Sequence, residues 1–225
     1  RITEIINFVS VRNNCFKKNT NFFDKIYKHM KKGYIVLIVI AVVVLSIFFW
    51  FKGAYNGMVN MREAVSAQWS NVENKYQRRL DLIPNLVNTV KGYASHEENT
   101  LTEVVNARAK ATQMQLNIDQ LDEAALKKLS NIQGELSSAL SRLMAISENY
   151  PDLKANQNFL DLQAQLEGTE NRIAVERRKF NDVARSYNAF ILQFPRNLVA
   201  GMFGFTSKPY FEANAGAENA PKVEF

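Results

Sequence analysis

One stretch of the chain limits its possible folds more than any other. Residues 34–51, YIVLIVIAVVVLSIFFWF, carry no charge, end in an aromatic cluster and lie between flanking lysines. As a helix they would reach roughly 27 Å, enough to cross the hydrocarbon core of a bilayer. A buried helix without a polar face is unusual in so small a protein, and the bulky residues that follow do not fit a signal-peptide cleavage site. The sequence therefore predicts a retained transmembrane helix at residues 34–51, in contact with membrane lipid.

The basic excess of the chain lies at its start. The net charge is +6, and eight of the 28 basic but only two of the 22 acidic residues fall within residues 1–32, so the remainder carries 20 of each sign. A neutral body lacks the basic surface that nucleic-acid binding requires, and we expect no nucleic-acid partner. Cys15 is the single cysteine and the two histidines lie far apart in sequence, which disfavours a His/Cys metal site. We therefore expect no cofactor.

Residues 1–29 differ from the rest of the chain, because they begin with Arg and show no sustained period. We expect Met30 to be the natural start, which would leave this leader outside the native protein. With the leader included, the positive-inside rule places the N-terminus inside and the soluble part outside. Counted from Met30, Lys31 and Lys32 are balanced by two basic residues after the span, and the side of the soluble part stays open.

The chain after the span has the period of amphipathic helices. Apolar residues recur from Met58 at steps of three and four residues, and the same rhythm returns twice. Helices of this kind cannot bury their apolar stripes alone. We therefore predict an all-α protein, with an elongated antiparallel bundle of about four helices at residues 56–195. The predicted boundary signals are a hinge at Gly53–Gly57, a capping box of Asn60 and Glu63, an N-cap at Ser95 with Glu98, a start near Asp119, a stop at Pro151, and a last helix from Asn156 to Phe194, ended by Pro195.

The tail, residues 196–225, changes character. Gly201, Gly204 and Pro209 interrupt the period, and several aromatic residues follow one another closely. We expect an irregular segment that packs on one end of the bundle, followed by a disordered end. The aromatic residues could instead lie on the membrane surface or on a partner.

The stretch QRRLDLIPNLVNTVKGY, residues 77–93, holds three candidate structural or interaction residues. At 100° per residue, Asp81 points away from the apolar stripe and could pair with Arg78, while Arg79 borders the core. Pro84 removes one hydrogen bond to Leu80 and should bend the helix, unless Asp81 caps a restarted helix there.

A second candidate lies in the last long helix, where Glu176 falls inside the apolar arc. A buried carboxylate needs a partner, and Arg79 and Arg172 are the candidates. The favoured interpretation is a structural ion pair between helices; a binding site for a polar ligand or partner is the alternative. His96 is predicted to be a solvated loop residue. No nucleophile motif, phosphate loop or catalytic carboxylate pair is found, so we expect neither an enzyme nor a small-molecule substrate.

Three stretches of the sequence resemble the LemA family of bacterial membrane-anchored proteins: WSNVENKYQRRLDLIPNLVNTVKGYASHE (69–97), SENYPDLKANQNFLDLQAQLEGTENRIAVERRKFNDVARSYN (147–188) and the ending FPRNLVAGMFGF…YFEA…APKVEF. The likeness covers about residues 34–225. It implies a short N-terminal span followed by a long antiparallel helical bundle. It implies no enzymatic activity and assigns no molecular role.

The resemblance also bears on location and partners. It implies a single-pass protein of the bacterial cytoplasmic (inner) membrane, and members of the family often lie near genes for membrane proteases. We expect a membrane-anchored helical scaffold or interaction protein of the envelope with a protein partner. The alternative is an adaptor or regulator of a membrane protease.

Overall fold

The described secondary structure is entirely helical. A computed structural model describes residues 32–114, 116 and 118–212, which confirms the all-α class. The expectations for the leader and for the end of the tail lie outside these residues. Residues 1–53 and 54–225 form two units. The helices are α1 (Lys32–Lys91), α2 (Glu98–Gln113), a 3-10 turn (Ile118–Gln120), α3 (Glu123–Ser147), α4 (Pro151–Lys154), α5 (Gln157–Leu192) and α6 (Arg196–Phe203).

Helix α1 begins with the apolar run. Among the described helices, it alone is long and apolar enough to cross a membrane. The apolar side chains of residues 36–50 are exposed rather than packed in a core. The helix continues without interruption through Gly53 and Gly57, so the capping box predicted at Asn60 and Glu63 was wrong, while the hinge predicted at Gly53–Gly57 stays a prediction. Glycine inside a helix costs only about 1 kcal/mol, which the neighbouring turns tolerate.

Helices α1 and α5 run antiparallel, as predicted. Gly57 allows their closest approach, because a Cβ atom there would lie 2.7 Å from the Phe190 ring. Low residue numbers of α1 face high numbers of α5 along the whole pair. The contacts in order are Gly57 with Phe190, Gln68 with Glu176, Arg78 with Gln165, and Tyr93 with Asn156.

Helices α2 and α3 complete a four-helix layer around the second half of α1. They are antiparallel to each other, with ion pairs from Lys110 to Glu135 (3.0 Å) and from Arg142 to Glu103. The apolar stripes predicted for all three long helices are mostly buried. Phe194 is the clear exception: it is 81% exposed, because α5 ends at Leu192 before reaching it. The core of this layer consists of Leu80, Leu82, Ile83, Leu86, Val90, Leu101, Val104, Leu136, Leu140, Leu143, Leu153, Phe159 and Leu166.

Two helices begin at other residues than predicted. Helix α2 begins at Glu98 after Glu97, so Ser95 is not its N-cap. Helix α3 begins at Glu123 rather than near Asp119, because the Asp122 carboxylate accepts a hydrogen bond from the Ala125 amide at 2.7 Å.

Two prolines and one asparagine mark the remaining helix boundaries. Pro151 does follow the end of α3, and it also opens the short helix α4 in the N1 position that suits proline. Asn156 caps α5 by accepting a hydrogen bond from the Phe159 amide. At the other end of α5, Pro195 follows the last turn and is the N-cap residue of α6.

The first part of the tail was predicted to be irregular, but it is helical. Residues 196–203 form α6, which ends at Gly204 in the left-handed conformation with φ 71°. The following residues, 205–212, run in extended form along α5 and are called the docked segment below.

Candidate functional site

Arg79 is buried between α1, α3 and α5. It is 4% exposed, and its guanidinium contacts the Glu170 carboxylate at 3.0 Å and the Ser137 hydroxyl at 2.6 Å. Burial lowers the pKa of Arg79, and the charge of Glu170 opposes this shift. The predicted pairing of Arg79 with Glu176 was therefore wrong: Arg79 does lie at the core, but its carboxylate partner lies almost two turns earlier on α5.

Glu170→Ala should cost about 1 kcal/mol of unfolding free energy, because the Arg79 guanidinium would keep only the Ser137 hydroxyl. The effect is limited since the Glu170 side chain is 55% exposed and water screens the pair. Arg79→Leu should cost no more, because it removes the buried charge and keeps the apolar volume. Urea unfolding measures both. Glu167→Ala, an exposed carboxylate on the same helix, is the control; a larger loss for Arg79→Leu than for Glu170→Ala would contradict the argument.

Glu176 lies where α5 crosses α1, with 13% of its side chain exposed. Its carboxylate accepts hydrogen bonds from the Lys179 ammonium at 2.9 Å and from the Gln68 amide at 2.7 Å. These two bonds, that of Lys179 first, lower the pKa of Glu176 below its ordinary value. Arg172 is exposed and is not among the partners that the described residues give Glu176. The Glu176 carboxylate therefore has partners, as predicted, but neither of them is one of the two predicted arginines.

Asp81 and Arg78 point away from the core as predicted, and both are exposed. They do not pair as expected. Asp81 accepts a hydrogen bond from Gln77 at 2.7 Å, while Arg78 reaches α5 and donates to Gln165 at 3.1 Å. Arg78 therefore links two helices.

Pro84 lies inside α1, which continues past it, so Asp81 caps no restarted helix. Without an amide hydrogen, Pro84 leaves the carbonyl of Leu80 without its intrahelical donor. The Arg108 side chain of α2 fills this place, since its Nε donates to that carbonyl at 2.9 Å. The proline therefore creates an acceptor on α1 that binds the neighbouring helix.

The docked segment is held by two asparagines two turns apart on α5. Asn188 Nδ2 donates to the Lys208 carbonyl and Asn188 Oδ1 accepts from the Lys208 amide, both at 2.8 Å. Asn181 makes the same pair of bonds with the backbone of Phe211, also at 2.8 Å. Each side chain thus pairs with one extended residue as a neighbouring strand would.

Side chains reinforce this attachment. Phe211 is buried against Trp69 (ring centroids 6.1 Å apart) and Phe180 (5.6 Å), and the Arg177 guanidinium lies 4.7 Å from the centre of its ring. The Lys208 ammonium donates to the Ile118 carbonyl at 2.8 Å. The docked segment therefore also fixes the connection between α2 and α3.

That connection borders an open cleft of about 670 Å³ between α1, α2 and α3. One wall of the cleft is the polar face of α1. The indole of Trp69 also lines the cleft and donates a hydrogen bond to the Leu116 carbonyl at 3.2 Å. The residues lining the cleft include Ser66, Ser70, Glu73, Gln77, Thr112 and Gln133.

Gln133 is the unusual residue of this cleft. Only 7% of it is exposed, and its side-chain oxygen accepts no hydrogen bond from the described residues. A buried acceptor without a donor costs about 1–3 kcal/mol. At the same cleft, burial raises the pKa of the Glu73 carboxyl, against the opposing effect of the Trp69 indole. The arrangement favours a bound group that supplies hydrogen-bond donors.

The described residues contain no group of three or more His, Cys, Asp or Glu side chains placed to hold a metal ion. His96 lies exposed in the turn before α2, as predicted.

Comparison with known proteins decides the family. The model of the LemA family matches residues 68–225, well over half of the chain, and this range includes α5, the docked segment and all residues of the cleft except Ser66. The chain belongs to the LemA family.

Other relatives agree with this membership. This chain is 32% identical over 174 residues to magnetosome protein MamQ of Magnetospirillum gryphiswaldense, a match that covers 70% of this chain and 64% of MamQ. It is 32% identical over 176 residues to magnetosome protein MamQ 2 of Paramagnetospirillum magneticum, with the same coverage. It is 25% identical over 168 residues to protein LemA of Metamycoplasma hominis, covering 74% and 73% of the two chains. The chain thus spans less than two thirds of the length of the MamQ proteins. The apolar start of α1, together with these relatives, indicates a membrane-associated protein.

Four residues with a structural role in this protein were not predicted from its sequence: Arg108, Gln133, Asn181 and Asn188. One signal was available for Gln133, because it lies four residues after Leu129 and three before Leu136, both buried. A polar residue at this spacing falls on the apolar face of a helix.

Proposed function

We propose that the protein is a membrane-anchored interaction protein of the bacterial envelope, anchored in the cytoplasmic membrane by a single span. Its bundle would bind a segment of a protein partner in the cleft between α1, α2 and α3. The observation that carries this proposal is Gln133, a residue that lines the open cleft and whose buried side-chain oxygen lacks a donor among the described residues. A backbone amide or a lysine or arginine side chain of the partner would supply that donor, and the Glu73 carboxyl would favour a basic one.

Neither the family description nor the relatives' names mention a reaction, and an interaction role fits the polar, amide-rich walls of the cleft. The alternative of a protease adaptor finds no support in these names, which include no protease. The name of the MamQ proteins associates them, but not this chain, with the magnetosome.

The test uses a photo-crosslinking residue in the full-length protein in its native membrane. Ser70 lines the cleft, and Ser186 is a matched control: both are exposed serines that donate to the carbonyl four residues earlier. We expect a discrete cross-linked protein from position 70 and none from position 186. Gln133→Leu should weaken the cross-link by at least about fivefold, the factor that corresponds to 1 kcal/mol.

The variant itself should remain folded, because Gln133→Leu replaces a buried acceptor with an apolar group of similar size. Thermal unfolding checks this. Identical products from both positions, or cross-linking from position 70 that Gln133→Leu leaves unchanged, would contradict the proposal.

A further inference from the structure

The exposed apolar surface around α6 is a feature that the proposed function does not use. Four large apolar side chains at the end of α5, in the turn after it and on α6 are exposed, with Phe194 81% and Met202 72% exposed. The surface consists of Leu192, Phe194, Leu198 and Met202. Such a group on one side of a short element is characteristic of an interaction surface rather than of scattered surface residues.

Helix α6 is apolar on nearly all sides. Only Arg196 and Asn197 at its start are polar, while Val199 and Ala200 are buried on the side that faces the protein. A helix without a polar face normally has apolar surroundings on every side. The exposed side of α6 therefore calls for an apolar environment outside the bundle.

The position of α6 along the chain identifies that environment. The ring of Phe203, the last residue of α6, contacts the ring of Tyr55 with centroids 4.9 Å apart, and Phe205 also lies against Tyr55 at 5.7 Å. Tyr55 follows the last residue of the apolar run, Phe51, by only four positions, a distance of at most about 14 Å along any chain path. The surface is thus tethered within reach of the bilayer that the span enters.

The polar groups nearby fit a membrane surface. The Arg196 guanidinium lies 4.0 Å from the centre of the Phe190 ring and donates a hydrogen bond to the Gln193 side-chain oxygen at 2.7 Å. Arginine and aromatic residues at the edge of an apolar patch are typical of elements that lie in the lipid headgroup region. We propose that α6, the turn before it and the last residue of α5 lie in the interface of the same membrane, with Leu192, Phe194, Leu198 and Met202 inserted among the acyl chains.

The proposal is tested by spin labelling of the full-length protein in lipid vesicles, in a Cys15→Ser background. Labels are placed at Met202→Cys, at Val43→Cys in the span as the lipid reference, and at Ser186→Cys on α5 as the aqueous reference. Collision with oxygen, which concentrates in lipid, is compared with collision with a water-soluble nickel chelate. We expect the label at position 202 to prefer oxygen, as at position 43, while the label at position 186 prefers nickel.

Two further variants separate insertion from other coverage. Leu198→Glu should abolish the oxygen preference at position 202, because a carboxylate is costly among acyl chains, whereas Asn197→Glu at the polar start of the helix should retain it. Nickel preference at position 202 would overturn the proposal. So would protection of the label from both reagents, which would indicate cover by protein; loss of that protection on dilution in lipid would assign it to a second copy of the chain.

Discussion

Asn188→Ala should lower the free energy of unfolding by about 2–4 kcal/mol and release the docked segment. The amide of Asn188 is buried and makes three hydrogen bonds of 2.8 Å, two with the backbone of Lys208 and one with the Tyr210 hydroxyl. Each such bond contributes about 1 kcal/mol, and buried groups that lose a partner add a further cost. Alanine supplies no substitute for either the donor or the acceptor.

Urea unfolding gives the stability change, and hydrogen exchange gives its location. The Lys208 amide donates directly to Asn188, so its exchange should accelerate far more than that of amides in α3. Asn197→Ala, an exposed asparagine on α6, is the matched control and should change stability by less than about 0.5 kcal/mol. Equal stability of the two variants, or an unchanged Lys208 amide, would show that the asparagine does not hold the segment.

Release of the docked segment should also loosen one wall of the cleft. Lys208 binds the Ile118 carbonyl, and Ile118 lines the cleft beside Trp69, whose ring stacks on Phe211. The segment and the cleft therefore share one wall. A partner that binds in the cleft would encounter a wall fixed by the asparagine pairs rather than a free loop.

The helical part of this structure was predictable, because burial on one face leaves a period in the sequence. Met58, Val65, Val72 and Ile83 recur at helical spacing, and all four are fully buried. The same period located α3 and α5 to within a few residues. The transmembrane segment at the start of α1 was likewise predictable from composition, because a span needs about 20 apolar residues whatever surrounds it.

The docked segment was not predictable, because its pairing leaves no period. An extended chain bound to asparagine side chains needs only backbone groups, which every sequence has. Helix α6 was missed for a different reason. Gly201 was interpreted as a break, yet it is exposed within the helix, and Gly204 was the better signal, because glycine just after the last turn is the usual helix end.

The ion pairs show a further limit of helical periodicity. An angle of 100° per residue correctly placed Arg79 at the core and Glu176 near it, but it says nothing of their levels along the bundle. In the antiparallel pair of α1 and α5, Arg79 lies opposite Glu170, whereas Glu176 lies opposite Gln68. The level depends on the loops that join the helices, which the period does not encode.

Arg108→Ala should cost about 1.5–3 kcal/mol of unfolding free energy. Its Nε is the donor to the Leu80 carbonyl, and Leu80 is buried, so water does not readily replace it. Pro84 is the reason that this carbonyl needs an outside donor, since a residue with an amide hydrogen at position 84 would bind it within the helix. Pro84→Ala should therefore reduce the cost of Arg108→Ala to below about 1 kcal/mol.

Urea unfolding of the wild type, the two single variants and the double variant gives the coupling between the two residues directly. Packing lost with the arginine side chain is common to both backgrounds and cancels in the cycle. Arg142→Ala, which breaks only the exposed ion pair with Glu103, should cost less than about 1 kcal/mol and equally in both backgrounds. If Arg108→Ala costs the same with proline and with alanine at position 84, the arginine does not serve the acceptor that the proline creates.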